Sequence, residues 1–212
     1  MQKQTGYALL LPVAGTVLFL LLYCLSAYNY PGGSQADNHS KGFSWLHNYW
    51  CNLLNEKSIN GDLNPGRPYA IAGMLVLCLS LGWFWYCFAF YVPLKIAQRN
   101  AMQLSGVLSM CIAFFIFTSL HTVIINIAGA IAVVALVFTF IGLNKMKWRK
   151  LFVFGLINLV LVILNNCLYY GGGLRYLPVV QKITFLLFLL WISAISTEMY
   201  HAVQKNNTKA NT

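Results

Sequence analysis

The sequence predicts an all-α, polytopic membrane protein with six transmembrane helices. Of its 212 residues, 59% are hydrophobic and 8% are charged, and its mean hydropathy is +0.66, whereas soluble domains carry about a quarter charged residues. Six apolar runs have the length of about 20 residues that crosses a bilayer. They cover residues 7–28, 68–93, 101–120, 122–143, 151–170 and 179–203.

The third and fourth runs are almost continuous in the sequence. A single helix of their combined length would far exceed the hydrocarbon core, which is about 30 Å thick. We therefore predict a tight turn at residues 119–122, where polar groups cluster, with residues 126–129 as the alternative.

The distribution of basic residues predicts the orientation of the chain in the membrane. Nine of the fourteen Lys and Arg residues fall on the side of the termini, and five fall on the other side. Because short cytoplasmic loops are enriched in Lys and Arg, both termini are predicted to be cytoplasmic and the 29–67 loop to face outward. We expect one membrane domain over residues 1–203 and a disordered cytoplasmic tail over residues 204–212.

The net charge of +10 does not indicate a nucleic-acid partner. The cations are dispersed among the loops and are not interleaved with aromatic residues on one exposed face. They are typical of a topology signal combined with attraction to anionic headgroups, so membrane lipids are the expected partners.

The long loop between the first two spans holds most of the polar chemistry of the chain. Counting from residue 29, it carries three of the four acids and two of the four histidines. Apolar residues recur every three to four positions over Phe43–Asn55, which predicts an amphipathic helix. With Trp45 and Trp50, this segment is expected to lie in the outer interface and cover the helix bundle.

Arg67, next to Pro68 and close to Pro65, is the leading candidate for ligand binding. A guanidinium group binds phosphate through two parallel hydrogen bonds, so a lipid headgroup could bind there beneath the aromatic loop. The alternative is a salt bridge to Glu56 or Asp62. The other candidate ligand-binding residues in this loop are Trp45, Asn48, Tyr49, Trp50 and Asn64.

A second set of candidates would serve metal or acid–base chemistry. His47, Glu56 and His121 are residue types that bind zinc or transfer protons near neutral pH. No His-Glu-x-x-His spacing is present, so solvated loop residues are the alternative and no cofactor is expected. Glu198 and His201 share a helix face, which is compatible with a metal, a proton relay or hydrogen bonding at a helix end.

Asn158 and Asn165 lie seven residues apart in the fifth span and therefore share a face. An amide that faced lipid would be costly, so this face is predicted to look into the bundle. The two amides would form hydrogen bonds between helices or contact a ligand.

The pairs Asn48-Tyr49 and Asn64-Pro65, in a chain of six spans with one long outer loop, resemble the Frag/DRAM/Sfk-like superfamily, especially its bacterial members. The resemblance implies a protein of the bacterial inner membrane that is linked to lipid handling or remodelling. Where bacterial members often have Ile-Ser-Asp-Leu-Gly, this chain has Trp50-Cys51-Asn52-Leu53-Leu54, so any role of that acid does not carry over. The CREST superfamily of membrane hydrolases is less similar, because it has seven spans and three histidines.

The leading hypothesis is a membrane protein that binds a lipid or other amphiphile beneath an extracytoplasmic aromatic loop. One alternative is a metal-dependent membrane hydrolase acting on lipid, and another is a small transporter. Whether the protein is an enzyme, and in what oligomeric state it works, stay open at this point.

Overall fold

The computed structural model describes residues 3–210, and within them the chain is helical with no strand. The helices, in chain order, are α1 Lys3–Ala8, α2 Leu11–Tyr28, α3 Arg67–Tyr91, α4 Ile96–Ala113, α5 His121–Lys145, α6 Arg149–Tyr170 and α7 Leu177–Ala210. Two short 3₁₀ helices, Trp50–Leu54 and Phe114–Phe117, lie in the long loop and after α4.

Six segments among the described residues are long and apolar enough to cross a membrane, as the sequence predicts. They are Gly6–Tyr28, Arg67–Tyr91, Ile96–Phe117, His121–Lys145, Arg149–Tyr170 and Leu177–Thr208. The class of integral, multi-pass membrane protein is thereby confirmed.

The predicted turn between the third and fourth spans is confirmed at the first of the two proposed positions. After the 3₁₀ helix, the N–H of His121 donates to the carbonyl of Thr118 at 3.2 Å, and α5 begins at His121. Residues 126–129, the alternative position, lie inside α5.

The last helix is longer than the predicted span. It continues to Ala210, through most of the segment for which the sequence predicts a disordered tail. Residues 211 and 212 of that predicted tail lie outside the described residues. The polar residues after Val203 include good helix formers such as Gln204 and Lys205, so α7 can extend beyond its apolar part.

The chain forms two compact units. The first comprises Val76–Gly155 and the described parts of Met1–Val17 and Leu189–Thr212; the second comprises Leu18–Leu75 and Leu156–Phe188. In the first unit, Trp85 is fully buried and donates its indole N–H to Thr139 Oγ1 at 3.3 Å, which joins α3 to α5. Gly106 of α4 lies directly against the same indole.

The second unit contains the long loop and the parts of four spans that carry it. The hydroxyl of Ser26 donates to the carbonyl of Gly66 at 2.7 Å, which ties the end of α2 to the start of α3. Gly73 of α3 packs against the ring of Tyr23, where an added methyl group would lie 3.0 Å from Cδ2. Small residues let helices approach closely inside a membrane, and this contact is one instance.

Candidate functional site

The first part of the long loop is folded by main-chain hydrogen bonds and by the backbone conformation of Gly33. The N–H of Gly33 donates to the carbonyl of Ser40 at 2.7 Å. Gly33 has φ +81°, and a methyl group there would lie 2.4 Å from the main-chain nitrogen of Asn60. A side chain is therefore excluded at Gly33 by both its dihedral angle and the close approach of the backbone.

The predicted helix over Phe43–Asn55 is present only as a turn followed by the 3₁₀ helix Trp50–Leu54. Two asparagine side chains explain the difference. Asn48 Oδ1 accepts the N–H of Ser44 at 2.8 Å, and Asn52 Oδ1 accepts the N–H of Tyr49 at 2.6 Å. Asparagine competes in this way with the regular helical pattern and favours turns and helix starts.

Asn48 is the central residue of this part of the loop. Its side chain is fully buried, and its Nδ2 donates to the carbonyl of Gly33 at 2.9 Å while its Oδ1 accepts the Ser44 N–H. Both ends of the amide are therefore used within the loop. Asn48 stays a predicted ligand-binding residue, but its amide already holds the loop together.

Asn64 has a similar position at the other end of the loop. Its Nδ2 donates to the carbonyls of Leu53 and Asn55, each at 3.1 Å, and its Oδ1 accepts the N–H of Gly66 at 3.0 Å. These three bonds place the start of α3 against the end of the 3₁₀ helix.

Arg67, the first residue of α3, is half-buried and anchored by one of its nitrogens. Its Nε donates to the carbonyl of Leu54 at 3.0 Å. Among the described residues, neither Glu56 nor Asp62 forms an ion pair with it, and Asp62 accepts a hydrogen bond from Asn60 instead. The terminal NH₂ groups of Arg67, which carry four of its five N–H donors, are left without a partner within residues 3–210.

An open groove of about 550 Å³ lies at this corner of the second unit. It is lined by Glu56, Leu63, Asn64, Pro65, Arg67 and Pro68. Leu63 is 69% exposed, so the groove combines a guanidinium group with accessible apolar surface. That combination can hold the charged head of an amphiphile and the apolar atoms next to it.

Trp45 and Trp50, the two predicted interfacial tryptophans, have different environments. Trp45 is half-exposed and contacts only the ring of Phe43 among its aromatic neighbours in the described chain, with centroids 5.2 Å apart. Trp50 lies among three rings of the first and last spans, Phe19, Tyr23 and Phe185, at centroid distances of 5.9, 5.5 and 5.3 Å. Its buried Nε1 has no hydrogen-bond acceptor among the described residues.

Lys182 of α7 is the residue that sequence reasoning missed. Its side chain is 7% exposed, and its Nζ donates to the main-chain carbonyls of Asn48 and Pro178. The ammonium group also lies 5.8 Å from the ring centroid of Phe43. Lys182 is one of the five Lys and Arg residues assigned to the outer side. A lysine inside the predicted 179–203 run is itself a signal, because ionisable residues within spans are rare and usually functional.

The titration of the loop side chains reflects their burial. Burial raises the pKa of the Cys51 thiol, and the nearby Lys182 ammonium offsets this only in part. Burial also raises the pKa of Tyr30, whose hydroxyl oxygen accepts the N–H of Ile59 at 3.0 Å. The pKa of Tyr49 is raised for the same reason. Each of these groups is therefore held in its neutral form at physiological pH.

The candidate metal and acid–base residues have separate surroundings. His47 Nδ1 is 3.2 Å from Ser44 Oγ in the loop, and Glu56 is exposed at the groove. His121 belongs to the other compact unit, and its Nε2 is buried without a hydrogen-bond partner in the described chain. Within residues 3–210 the structure brings no three His, Cys, Asp or Glu side chains together in a group that could hold a metal ion.

The two predicted asparagines of the fifth span are both in the second unit. Asn158 is 4% exposed, and Asn165 donates to Thr184 Oγ1 at 2.6 Å and to the carbonyl of Leu161 at 2.9 Å. The Asn165–Thr184 bond joins α6 to α7, which matches the role of interhelical hydrogen bonding considered for this amide.

The comparisons with known proteins do not place this chain in a family. No protein-family model, no curated protein and no solved structure matches it.

Proposed function

We propose that this integral membrane protein binds the anionic headgroup of a membrane lipid at Arg67, on the extracytoplasmic side. The observation that supports the proposal is the geometry of Arg67 in the groove. Its Nε is bound to Leu54, and its terminal NH₂ groups have no partner among the described residues. A guanidinium group fixed in this way is preorganised for a phosphate, which it can bind through two parallel hydrogen bonds.

The position of Arg67 along the chain agrees with a lipid ligand. It is the first residue of a membrane-spanning helix, so it lies where the chain enters the membrane and where headgroups are found. Tyr69, two residues after Arg67, is 39% exposed. Tyrosine is enriched at the level of the headgroups, where its ring is in the apolar layer and its hydroxyl is near water.

The test is lipid binding by the purified protein in nanodiscs, measured by native mass spectrometry with phosphatidylglycerol and phosphatidylcholine. Loss of a charge-assisted hydrogen bond in Arg67→Gln should weaken binding of the anionic lipid about tenfold. Arg67→Lys keeps the charge but loses the planar fork, so it should retain part of the preference. Binding of phosphatidylcholine should not change in either variant.

Arg175→Gln is the matched control, because Arg175 is an exposed arginine of the second unit in the loop before α7. It removes the same charge without touching the groove. If Arg175→Gln lowers anionic-lipid binding as much as Arg67→Gln does, the effect is one of net charge and the proposed site is wrong.

A further inference from the structure

The ammonium group of Lys182 has an unusual environment for a charge inside a membrane span. Its side chain is more than nine-tenths buried, and its hydrogen-bond partners are two neutral main-chain carbonyls. None of the four acids of the chain is bonded to it within the described residues. A buried charge is costly unless it is paired with an opposite charge, so this environment favours the binding of an anion.

The helix itself also favours an anion at this position. Pro178, whose carbonyl accepts one of the ammonium hydrogen bonds at 3.0 Å, is in the first turn of α7. The N-terminus of a helix carries partial positive charge, which disfavours a cation there and favours an anion. The ammonium and the helix end therefore both favour binding of an anion.

The position of Lys182 specifies the kind of anion. Lys182 is five residues after the start of α7, which at 1.5 Å per residue is about 7.5 Å along the helix from its end. The acidic group of an amphiphile lies near the ends of membrane-spanning helices, while its chain continues into the bilayer. A single ammonium neutralises one negative charge, so a carboxylate suits it better than a phosphate monoester, which carries nearly two at neutral pH.

Aromatic rings lie beside the ammonium group and further along the same face of α7. Phe43 is beside the ammonium, and Phe185 is three residues further along α7, on the same face. Phe185 packs against Trp50, with ring centroids 5.3 Å apart. Because Trp50 follows Asn48 by two residues, a shift of Asn48 is expected to move the indole as well.

From these observations we propose that Lys182 binds the carboxylate of a single-chain anionic amphiphile, and that the main-chain oxygen of Asn48 occupies this position when the ligand is absent. A carboxylate forms a stronger bond with the ammonium group than a neutral carbonyl does, because both partners are then charged, and so it can replace the carbonyl. The residues that line the groove at Arg67 do not include Lys182. The site at Lys182 is thus separate from the one in the proposed function and does not depend on it.

When a carboxylate displaces the Asn48 carbonyl from Lys182, the adjacent 3₁₀ helix, which contains Cys51, should become less tightly held. The other end of this segment stays held by Arg67, through the carbonyl of Leu54. Alkylation of Cys51 by a water-soluble maleimide, quantified on its peptide by mass spectrometry, therefore reports the displacement in the unmodified chain.

The experiment uses the full-length protein in phosphatidylcholine nanodiscs and three probes: oleate, oleyl alcohol and acetate. Oleate should raise the Cys51 alkylation rate about tenfold, the factor expected when a hydrogen bond to a charged group is replaced. Oleyl alcohol has a similar chain without the charge, and acetate has the charge without the chain, so neither should raise it. If acetate acts as strongly as oleate, the ligand is a soluble anion and the proposal is overturned.

Variants then assign the effect to Lys182. Lys182→Met should weaken oleate binding about tenfold and should show fast Cys51 alkylation before oleate is added. Lys57→Met, at an exposed lysine of the same loop, should behave as the unmodified protein does. The proposal is refuted if Lys182→Met binds oleate as well as the unmodified protein does. It is also refuted if oleate leaves the Cys51 alkylation rate of the unmodified protein unchanged, and this second result does not depend on the folding of any variant.

Discussion

Replacement of Gly106 by alanine tests the packing between the second and third spans. A methyl group at this position would lie 2.4 Å from Cγ and 2.6 Å from Cβ of Trp85, whereas carbon atoms in contact are about 3.5–4.0 Å apart. The indole would have to move by about 1 Å or more to relieve the collision. Trp85 is fully buried and its N–H is bonded to Thr139, so the ring has little freedom to move.

The magnitude follows from two opposing effects. Overpacking of a well-packed interior lowers the free energy of unfolding by about 1–3 kcal/mol. Alanine is a better helix former than glycine by about 1 kcal/mol, which acts in the opposite direction. Gly129 isolates the second effect, because it lies in α5 with nothing within 4 Å of an added methyl group. Gly106→Ala should therefore be less stable than Gly129→Ala by about 1–3 kcal/mol.

The assay is reversible unfolding in mixed micelles with increasing dodecyl sulfate, followed by far-ultraviolet circular dichroism. In a Trp85→Gly background neither Cβ nor Cγ of residue 85 remains for the methyl group to meet, so the difference in stability between Gly106→Ala and Gly129→Ala should shrink. The reasoning is refuted if Gly106→Ala and Gly129→Ala are equally stable in the unmodified background, or if their difference is unchanged by Trp85→Gly.

Three further predictions concern the second unit. Gly33→Ala should speed Cys51 alkylation more than Gly42→Ala does. Both positions have positive φ, but only at Gly33 would a methyl group meet the backbone. Equal alkylation rates in the two variants would contradict this prediction. A double-mutant cycle of Asn165→Ala and Thr184→Ala should give a coupling energy of about 0.6–2 kcal/mol for their hydrogen bond, so a coupling of zero would show that it contributes nothing. Burial raises the pKa of Cys51, and the thiolate is the reactive form of a cysteine. Alkylation of Cys51 should therefore require a higher pH in the folded protein than after unfolding in dodecyl sulfate. Identical pH profiles would show that burial does not raise this pKa.

The spans were predictable because the bilayer imposes a simple rule on the sequence. A helix must carry about 20 apolar residues to cross it, and this pattern is visible without any tertiary contact. The turn before His121 was predictable for the same reason, since one uninterrupted helix would be too long. The length of α7 was not, because its polar end forms helix outside any apolar run.

The loop was only partly predictable. Its polar composition, its tryptophans and the position of Arg67 at the start of a span were all visible in the sequence. The helical spacing over Phe43–Asn55 was misleading about length, because the side chains of Asn48 and Asn52 bond to the main chain nearby and end the regular pattern. Local competition of this kind depends on geometry that apolar spacing does not record.

The sequence alone determined that this is a six-span membrane protein, and it indicated that the loop between the first two spans carries the polar chemistry. The tertiary structure alone decided what Lys182 and Arg67 bind. Lys182 reaches the carbonyl of Asn48 across 134 positions of the chain, and Arg67 reaches the carbonyl of Leu54. Every residue has a main-chain carbonyl, so no residue type marks these acceptors, and only the fold brings each of them to its cation.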